Sequence, residues 1–139
     1  MKKIINLAEL QNIPVNWVLR SDLDSISSGS HQGVAALCEG VGVQDENYLF
    51  NLLDHSDKTP FFLILDGVTD PHNLGACMRS AEAAGIQAVI IPKDNAVGIT
   101  PVVQKVASGA AEIIPLIVVT NLSRVLKQLK DRGIWIIGA

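Results

Sequence analysis

From residue 60 onward, short apolar blocks alternate with stretches in which apolar residues recur every three or four positions. The blocks are "FFLILD" (61–66), "QAVIIP" (87–92), "PLIVV" (115–119) and "IWIIGA" (134–139). Each block has the length and the continuous apolar character of a strand that is buried on both faces. The stretches between them have the periodicity of amphipathic helices. The alternation β-α-β-α-β-α-β therefore predicts an α/β fold in which crossover helices connect a parallel sheet.

Polar residues at the start of each periodic stretch indicate where the three helices begin. The capping candidates are Asp70, Thr100 and Asn121. Their side-chain oxygens can accept hydrogen bonds from first-turn N–H groups, and a proline follows two of them, at a position where its missing N–H costs nothing. Gly85 and Gly133 lie where two of these helices are expected to end.

The first sixty residues are less regular. Their pattern predicts a helix over 2–11, a strand over 14–19, a second helix around 21–28, and a turn at "SHQG" that leads into a strand. Residues 41–59 mix acidic residues with a short apolar stripe and end in a polar turn, which is typical of a linker. Because about forty residues seldom form a core of their own, the N-terminal portion is predicted to be part of a domain.

Composition and charge narrow the class of protein. The chain has 139 residues, of which 48% are hydrophobic and 18% charged, as in globular proteins. The net charge of −3 argues against a general nucleic-acid coat, and the charge is uneven: residues 1–60 carry four Lys/Arg against eight Asp/Glu, and residues 61–139 carry seven against six. A polyanion would therefore have to bind a local patch.

Targeting and metal signals are weak in this sequence. No apolar run is long enough to span a bilayer, and the N-terminus reaches Glu9 too early for the apolar core of a signal peptide. We therefore interpret the protein as cytoplasmic. Cys38 and Cys77 lie far apart without a Cys/His cluster, so neither a disulfide framework nor a metal site is indicated.

The segment "LDGVTDPHNLGACMRSAEAAG" (65–85) is the main candidate site. A predicted strand leads into a polar loop and then into a helix, and ligands of open α/β sheets bind at such carboxyl ends of strands. First-turn N–H groups and the helix dipole attract an anion such as a phosphate. His72, Gly75 and Arg79 share one helix face at 100° per residue, Gly75 leaves room for a close backbone or ligand, and Asn73 offers a donor and an acceptor.

Simpler interpretations of the same segment exist. Asp70 followed by proline is ordinary helix capping, and Arg79 with Glu82 could be a surface pair worth only about 0.3 kcal/mol. Asp66 and Asp70 could suggest a metal or phosphoacceptor pocket, but no further acidic cluster supports one.

The last predicted helix carries a second candidate surface. Arg124, Lys127 and Lys130 are spaced i, i+3, i+6 and could contact phosphates. The alternative is a solvated helix face whose positive charges interact favourably with the helix dipole.

Two long segments carry a resemblance to a known family. "LILDGVTDPHNLGACMRSAEAAGIQAVIIPKDNA" and "VVQKVASGAAEIIPLIVVTNL" resemble the first motif and following region of the SpoU (TrmH-like) RNA ribose 2′-O-methyltransferases, in particular the branch that methylates a guanosine ribose in large-subunit ribosomal RNA. "HQG" (31–33) and "ASGAAE" (107–112) are further matches. The resemblance implies part of an N-terminal RNA-substrate-binding domain, similar to a ribosomal-protein fold, over 1–42, a linker over 43–59, and the N-terminal half of the methyltransferase domain over 60–139.

This resemblance implies a SPOUT fold with a trefoil knot in its C-terminal part, S-adenosylmethionine as cofactor, ribosomal RNA as partner, a homodimer and no metal. The matching residues are Asn73 and Arg79 as catalytic, His31, Gln32 and His72 as RNA-binding, Ser108, Gly109 and Glu112 as supporting, and Gly138 and Ala139 as cofactor-binding. Because a guanidinium is effectively never neutral, we interpret Arg79 as gripping a phosphate or stabilising charge on the 2′-oxygen, with His72 as a possible proton acceptor.

The chain departs from the family in its extent. The family's second motif, a Gly-x-Glu loop, and its third, a Ser/Asn-containing loop, lie beyond residue 139. The chain is therefore predicted to be a fragment that is inactive alone. One alternative is a non-catalytic RNA-binding or dimerisation remnant. A Rossmann-type nucleotide enzyme is disfavoured, because "DPHNLG" stands where a dinucleotide fingerprint needs G-x-G-x-x-G.

Overall fold

The computed structural model describes residues 2–26, 31–37 and 42–138. Contacts divide the chain into two compact units, Met1–Cys38 and Glu39–Ala139.

The described part of the first unit contains two helices, and neither helix has a buried residue. They are α1 (Lys2–Leu10) and α2 (Arg20–Ile26). Both helices confirm the predicted elements, but the predicted strand over 14–19 is wrong, and residues 34–37 form no strand either. A strand needs a neighbour for its backbone hydrogen bonds, and these segments have none in the described part of the unit. The apolar side of α1 is open: Ile4 is 53% and Leu7 is 60% exposed.

The second unit is a parallel sheet with helices on both faces. Its strands are β1 (Val43–Gln44), β2 (Phe62–Ile64), β3 (Ala88–Pro92) and β4 (Leu116–Val119). Its helices are α3 (Glu46–His55), α4 (Pro71–Ala83), α5 (Pro101–Ala107) and α6 (Leu122–Asp131), with a 3₁₀ turn at Ala110–Glu112. The strand order is β1-β4-β3-β2, and all pairs are parallel. The predicted α/β architecture is confirmed.

Alternate residues of the central strands enter two different cores. In β3, Val89 and Ile91 pack with α4 and α5, whereas Ala88 and Ile90 pack with α3 and α6. The first core is formed by Leu74, Met78, Ala81, Val89, Ile91, Val103, Ala107, Ala110, Ala111, Ile114 and Leu116. The second is formed by Leu49, Ala88, Ile90, Ile117, Val119, Val125 and Leu129. Burial on both faces explains why these strands are continuously apolar in sequence. The edge strand β2 is only half-buried.

The predicted linker over 43–59 is wrong for most of its length. Val43 and Gln44 pair with Leu116 and Ile117 of β4, and α3 follows directly. Leu49 of α3 is completely buried in the second core. The acidic composition misled the prediction, because acidic residues cap α3 or form ion pairs: Glu46 pairs with Arg124, and Asp54 pairs with Arg132. Asp45 accepts hydrogen bonds from the backbone N–H of Tyr48 (3.0 Å) and the amide of Asn47 (2.9 Å), which lower the pKa of its carboxyl group.

The predicted fourth strand over 134–139 is also wrong for the described residues 134–138, which form no strand. Trp135 and Ile137 are each 93% exposed. A strand in this position needs a sheet edge, and the edge of β4 that faces away from β3 is partly occupied by β1.

The three predicted helix starts are confirmed. Asp70 accepts from the N–H of His72 at 2.8 Å, Thr100 from Val103 at 3.2 Å, and Asn121 from Arg124 at 2.9 Å. Gly85 and Gly133, which follow α4 and α6, have φ angles of 74° and 80°, the left-handed conformation that ends helices. Among the described residues, no helix has the length and apolar character needed to cross a membrane.

Candidate functional site

The loop between β2 and α4 is held at the carboxyl end of the sheet. Leu65 donates its backbone N–H to Ile90 in β3 (2.9 Å), and Val97 donates to Val68 (2.9 Å), which ties the loops after β2 and β3 together. Asp70 then caps α4. The described residues contain no cluster of three or more His, Cys, Asp or Glu that could hold a metal ion. Asp66 and Asp70 thus gain no third ligand from the described part of the chain.

Gly75 brings α4 and α5 into close contact. A Cβ atom at this position would lie 2.8 Å from Val106 Cβ and 2.9 Å from the carbonyl oxygen of Val103. Real side chains do not approach so closely, so only glycine permits this helix separation. The room that the sequence predicted at Gly75 is therefore filled by the neighbouring helix and leaves no space for a ligand.

An open groove of about 590 Å³ lies along this helix pair. Its lining residues are His72 and Arg79 of α4, Pro101, Val102, Lys105 and Val106 of α5, and Ser108. Arg79 is exposed, and no hydrogen bond or ion pair engages it within the described residues; the alternative pair with Glu82 is not formed. Its guanidinium is therefore available for bidentate binding of an anion.

His72 and Asn73 occupy the first turn of α4 but point to different surroundings. His72 lines the groove, and its Nδ1 lies 3.3 Å from Asp70 Oδ1. Asn73 is exposed and is absent from the groove lining. At 100° per residue, Asn73 and Arg79 stand about 120° apart around the helix. The structure thus brings Arg79 together with His72 and Ser108, and it leaves Asn73 on a neighbouring face.

The sequence "ASGAAE" forms the sharp turn after α5. Ser108 and Gly109 have φ angles of 52° and 95°, so two successive residues are left-handed. This turn ends α5 and places the exposed Ser108 in the groove. Glu112 lies in the following 3₁₀ turn, and its Oε2 atom is buried without a hydrogen-bond partner in the described structure. Buried carboxylate oxygens normally accept a hydrogen bond, so the unsatisfied Oε2 of Glu112 is an exception among the described residues.

Lys105 is the groove residue that sequence analysis missed. It lies in the last turn of α5 and is exposed. The periodicity shows only that Lys105 is outside the buried stripe of Val103 and Ala107. Which side of α5 meets α4 depends on the contact at Gly75, and the sequence hinted at that contact without giving its direction.

In the first unit, the histidine of "SHQG" has a structural role. The His31 side chain is only 5% exposed. Its Nδ1 accepts the N–H of Gly33 at 3.0 Å, and its Nε2 lies 2.8 Å from Asp24 Oδ1. The first bond requires the proton to be on Nε2, so both ring nitrogens are engaged. Gln32 is exposed and left-handed, with a φ angle of 49°.

Of the two cofactor candidates, the structure describes only Gly138. Gly138 is exposed, and a Cβ placed on it would have nothing within 4 Å. Ala139 lies outside the described residues.

The basic face of α6 is partly neutralised. Arg124 forms an ion pair with Glu46 of α3 at 2.6 Å. Lys127 and Lys130 are exposed, and none of the ion pairs in the described part of the chain involves them. Arg132, just past α6, pairs with Asp54 at 2.5 Å.

Comparisons with known proteins agree on one family. The sequence profile of the SpoU rRNA Methylase family matches residues 60–139, and the profile for RNA 2′-O ribose methyltransferase substrate binding matches residues 1–42. The chain is 52% identical over 135 residues to the 23S rRNA (guanosine-2′-O-)-methyltransferase RlmB of Pseudomonas aeruginosa, covering 97% of this chain and 54% of that protein. It is 54% identical to RlmB of Shewanella oneidensis, covering 97% and 55%.

A solved structure shares the fold. It is the SpoU methyltransferase AviRb of Streptomyces viridochromogenes, with a TM-score of 0.50 and 24% identity over 58% of this chain and 32% of that one. The chain spans about half the length of the curated relatives it matches. The resemblance found from the motifs is confirmed, because the SpoU profile alone covers 80 of the 139 residues, from 60 to 139. The chain belongs to the SpoU rRNA Methylase family.

Proposed function

We propose that this chain is part of an enzyme that transfers a methyl group from S-adenosylmethionine to a ribose 2′-hydroxyl of ribosomal RNA, and that it supplies the surface that grips the RNA. The observation that carries the proposal is the unpaired Arg79 guanidinium, which lines the groove along α4 and α5 within the segment that matches the SpoU profile. The names of the relatives support a ribosomal RNA substrate.

The groove residues suggest separate roles. Arg79 is permanently charged, so it binds a phosphate through its fork or stabilises negative charge that develops on the 2′-oxygen. His72 stands beside Asp70 and is the group near Arg79 that can accept a proton from a ribose hydroxyl. Asn73 lies one residue further on and offers hydrogen bonds to the ribose from the adjacent face.

The groove along α4 and α5 does not suit S-adenosylmethionine. The ionisable side chains of the groove are His72, Arg79 and Lys105, and two positive charges disfavour a cationic sulfonium. Gly138, the described cofactor candidate, is exposed in open space. We therefore assign no chemical step to the cofactor here, and we expect the 139-residue chain alone to be inactive in methyl transfer.

Binding measurements on the chain itself test this proposal. We expect a fluorescently labelled single-stranded RNA to bind, and we expect Arg79→Gln to weaken binding about tenfold, as for loss of a charge-assisted contact. Lys58→Gln is the matched control, because Lys58 is exposed in the loop before β2 and does not line the groove. Equal binding by the Arg79 variant and this control would contradict the proposed role of the groove.

A non-catalytic remnant is the second candidate function. It is favoured by residues 135–138, which are exposed and form no strand, and which include the cofactor candidate Gly138. Isothermal titration with S-adenosylmethionine tests this second candidate: micromolar binding would contradict a remnant, because it would show that the chain keeps a site for the cofactor.

We also propose a cytoplasmic homodimer, as the family resemblance implies. Sedimentation should then give twice the chain mass of 14.9 kDa. A single species at the monomer mass would contradict the dimer without affecting the RNA-binding proposal.

A further inference from the structure

Lys105 occupies the wall of the groove opposite Arg79. Arg79 belongs to α4 and Lys105 to α5, and both line the same open space. Lys105 is exposed, and none of the ion pairs in the described part of the chain involves it. The groove thus holds two permanent positive charges from two different helices.

The contact at Gly75 fixes these two charges relative to each other. Arg79 follows Gly75 by one helical turn, and Lys105 immediately precedes Val106, the residue that Gly75 contacts. Because the helices touch at this point, the bases of both long side chains are held by packed backbone. Groups that rigid elements position in this way lose less entropy when they bind a ligand.

None of the described residues that line the groove is acidic, although the Asp70 carboxylate lies 3.3 Å from the His72 ring. Arg79 and Lys105 form no ion pair among the described residues, so these two cations favour an anionic ligand. The rest of the wall is apolar: Val102 is 39% exposed, beside Pro101 and Val106. A nucleic acid strand combines anionic phosphates with the apolar faces of sugar and base, so its chemistry matches this lining.

We propose that Lys105 is a second phosphate-binding residue, and that Lys105 and Arg79 hold two phosphates of one RNA strand while Val102 contacts the intervening nucleoside. This inference rests on the proposed function, because it takes RNA as the ligand. It adds a positioning residue that places the strand across the groove and does not itself take part in the chemistry.

Salt dependence of RNA binding tests the inference. For single strands the slope of log affinity against log salt falls by about 0.7 for each phosphate contact that is lost. We expect Lys105→Gln to reduce the slope by about 0.7 and to weaken binding about fivefold at 0.1 M salt, as for one exposed charge contact. Lys105→Arg should keep the slope. In the double variant Lys105→Gln/Arg79→Gln the slope should be reduced by about 1.4, because two phosphate contacts are lost.

Controls separate this inference from the proposed function. Lys58→Gln removes an exposed positive charge outside the groove lining and should leave the slope nearly unchanged. If the unaltered chain binds RNA and Arg79→Gln weakens it, but Lys105→Gln behaves like this control, the inference on Lys105 is overturned alone. If the unaltered chain does not bind RNA, both fail. Equal binding of polyglutamate would show a general anion site and would also overturn the inference.

Discussion

Replacing Gly75 by alanine tests the helix contact on which the groove depends. The added Cβ would lie 2.8 Å from Val106 Cβ and 2.9 Å from the Val103 carbonyl oxygen. Neither atom is the end of a flexible side chain, so α5 itself must move, and the penalty belongs at the upper end of the overpacking range, about 3 kcal/mol. Alanine recovers about 1 kcal/mol through its higher helix propensity. We therefore expect Gly75→Ala to lower the free energy of unfolding by about 2 kcal/mol.

Urea unfolding followed by far-ultraviolet circular dichroism is the suitable assay. Tryptophan fluorescence would report poorly, because Trp17 and Trp135 are already 77% and 93% exposed in the folded chain. Gly98→Ala is the control: a Cβ there has nothing within 4 Å, and its stability should change by less than about 0.5 kcal/mol.

A second substitution sharpens the test. Val106→Ala removes the Cγ1 atom at 3.0 Å but keeps the Cβ at 2.8 Å, and it cannot affect the Val103 oxygen. Most of the loss caused by Gly75→Ala should therefore remain in the double variant. A Gly75→Ala chain as stable as the unaltered one, or one fully rescued by Val106→Ala, would show that the helices are not held as closely as the structure indicates.

Three further predictions concern capping, ion pairing and backbone strain. The folded-state pKa of Asp45 is lowered, chiefly by the N–H of Tyr48, so the stabilisation from this carboxylate is complete above its ordinary pKa of 3.8 and is lost as the pH falls through the lower folded-state pKa. The loss of stability caused by Asp45→Ala should therefore be constant near neutral pH and become smaller below pH 3.8. A loss that becomes larger in acid would contradict this prediction. A double-mutant cycle of Glu46→Gln and Arg124→Gln should give a coupling free energy of about 0.2–1 kcal/mol, and because the Arg124 side chain is 55% exposed, 1 M salt should remove it. A coupling free energy that does not depend on salt would argue against an ion pair. Ser108→Gly should increase the free energy of unfolding by about 0.5–1 kcal/mol and so raise the urea midpoint, because serine is strained at a φ angle of 52°. A lower midpoint would refute that strain.

Local signals in the sequence were sufficient for much of the fold and the candidate site. The caps at Asp70, Thr100 and Asn121 act through neighbouring backbone, so their residue types and spacing reveal them. The face shared by His72 and Arg79 follows from helix geometry alone, and the structure places both in one groove.

Features that depend on distant partners escaped sequence analysis. Val43 and Gln44 form a strand only because β4 lies beside them, and their two-residue length gives no periodicity to detect. Residues 134–138 have a strand-like composition, yet composition cannot tell whether a sheet edge is available. Lys105 faces the groove because Gly75 of α4 contacts Val103 and Val106 of α5, which lie 28 and 31 residues later, and no local pattern encodes the direction of that contact.

The two ion pairs that join α3 to α6 and its C-terminal end limit where the protein can be truncated. Glu46 with Arg124, and Asp54 with Arg132, are both separated by 78 residues, so the two helices advance side by side in the same direction. A shortened protein that starts at residue 60, where the SpoU profile begins, would lose Leu49 from the interior and leave both arginines without their carboxylates. Only α6 would then cover that face of the sheet, and we would expect the exposed apolar surface to cause precipitation, whereas a chain starting at residue 42 would keep both helices.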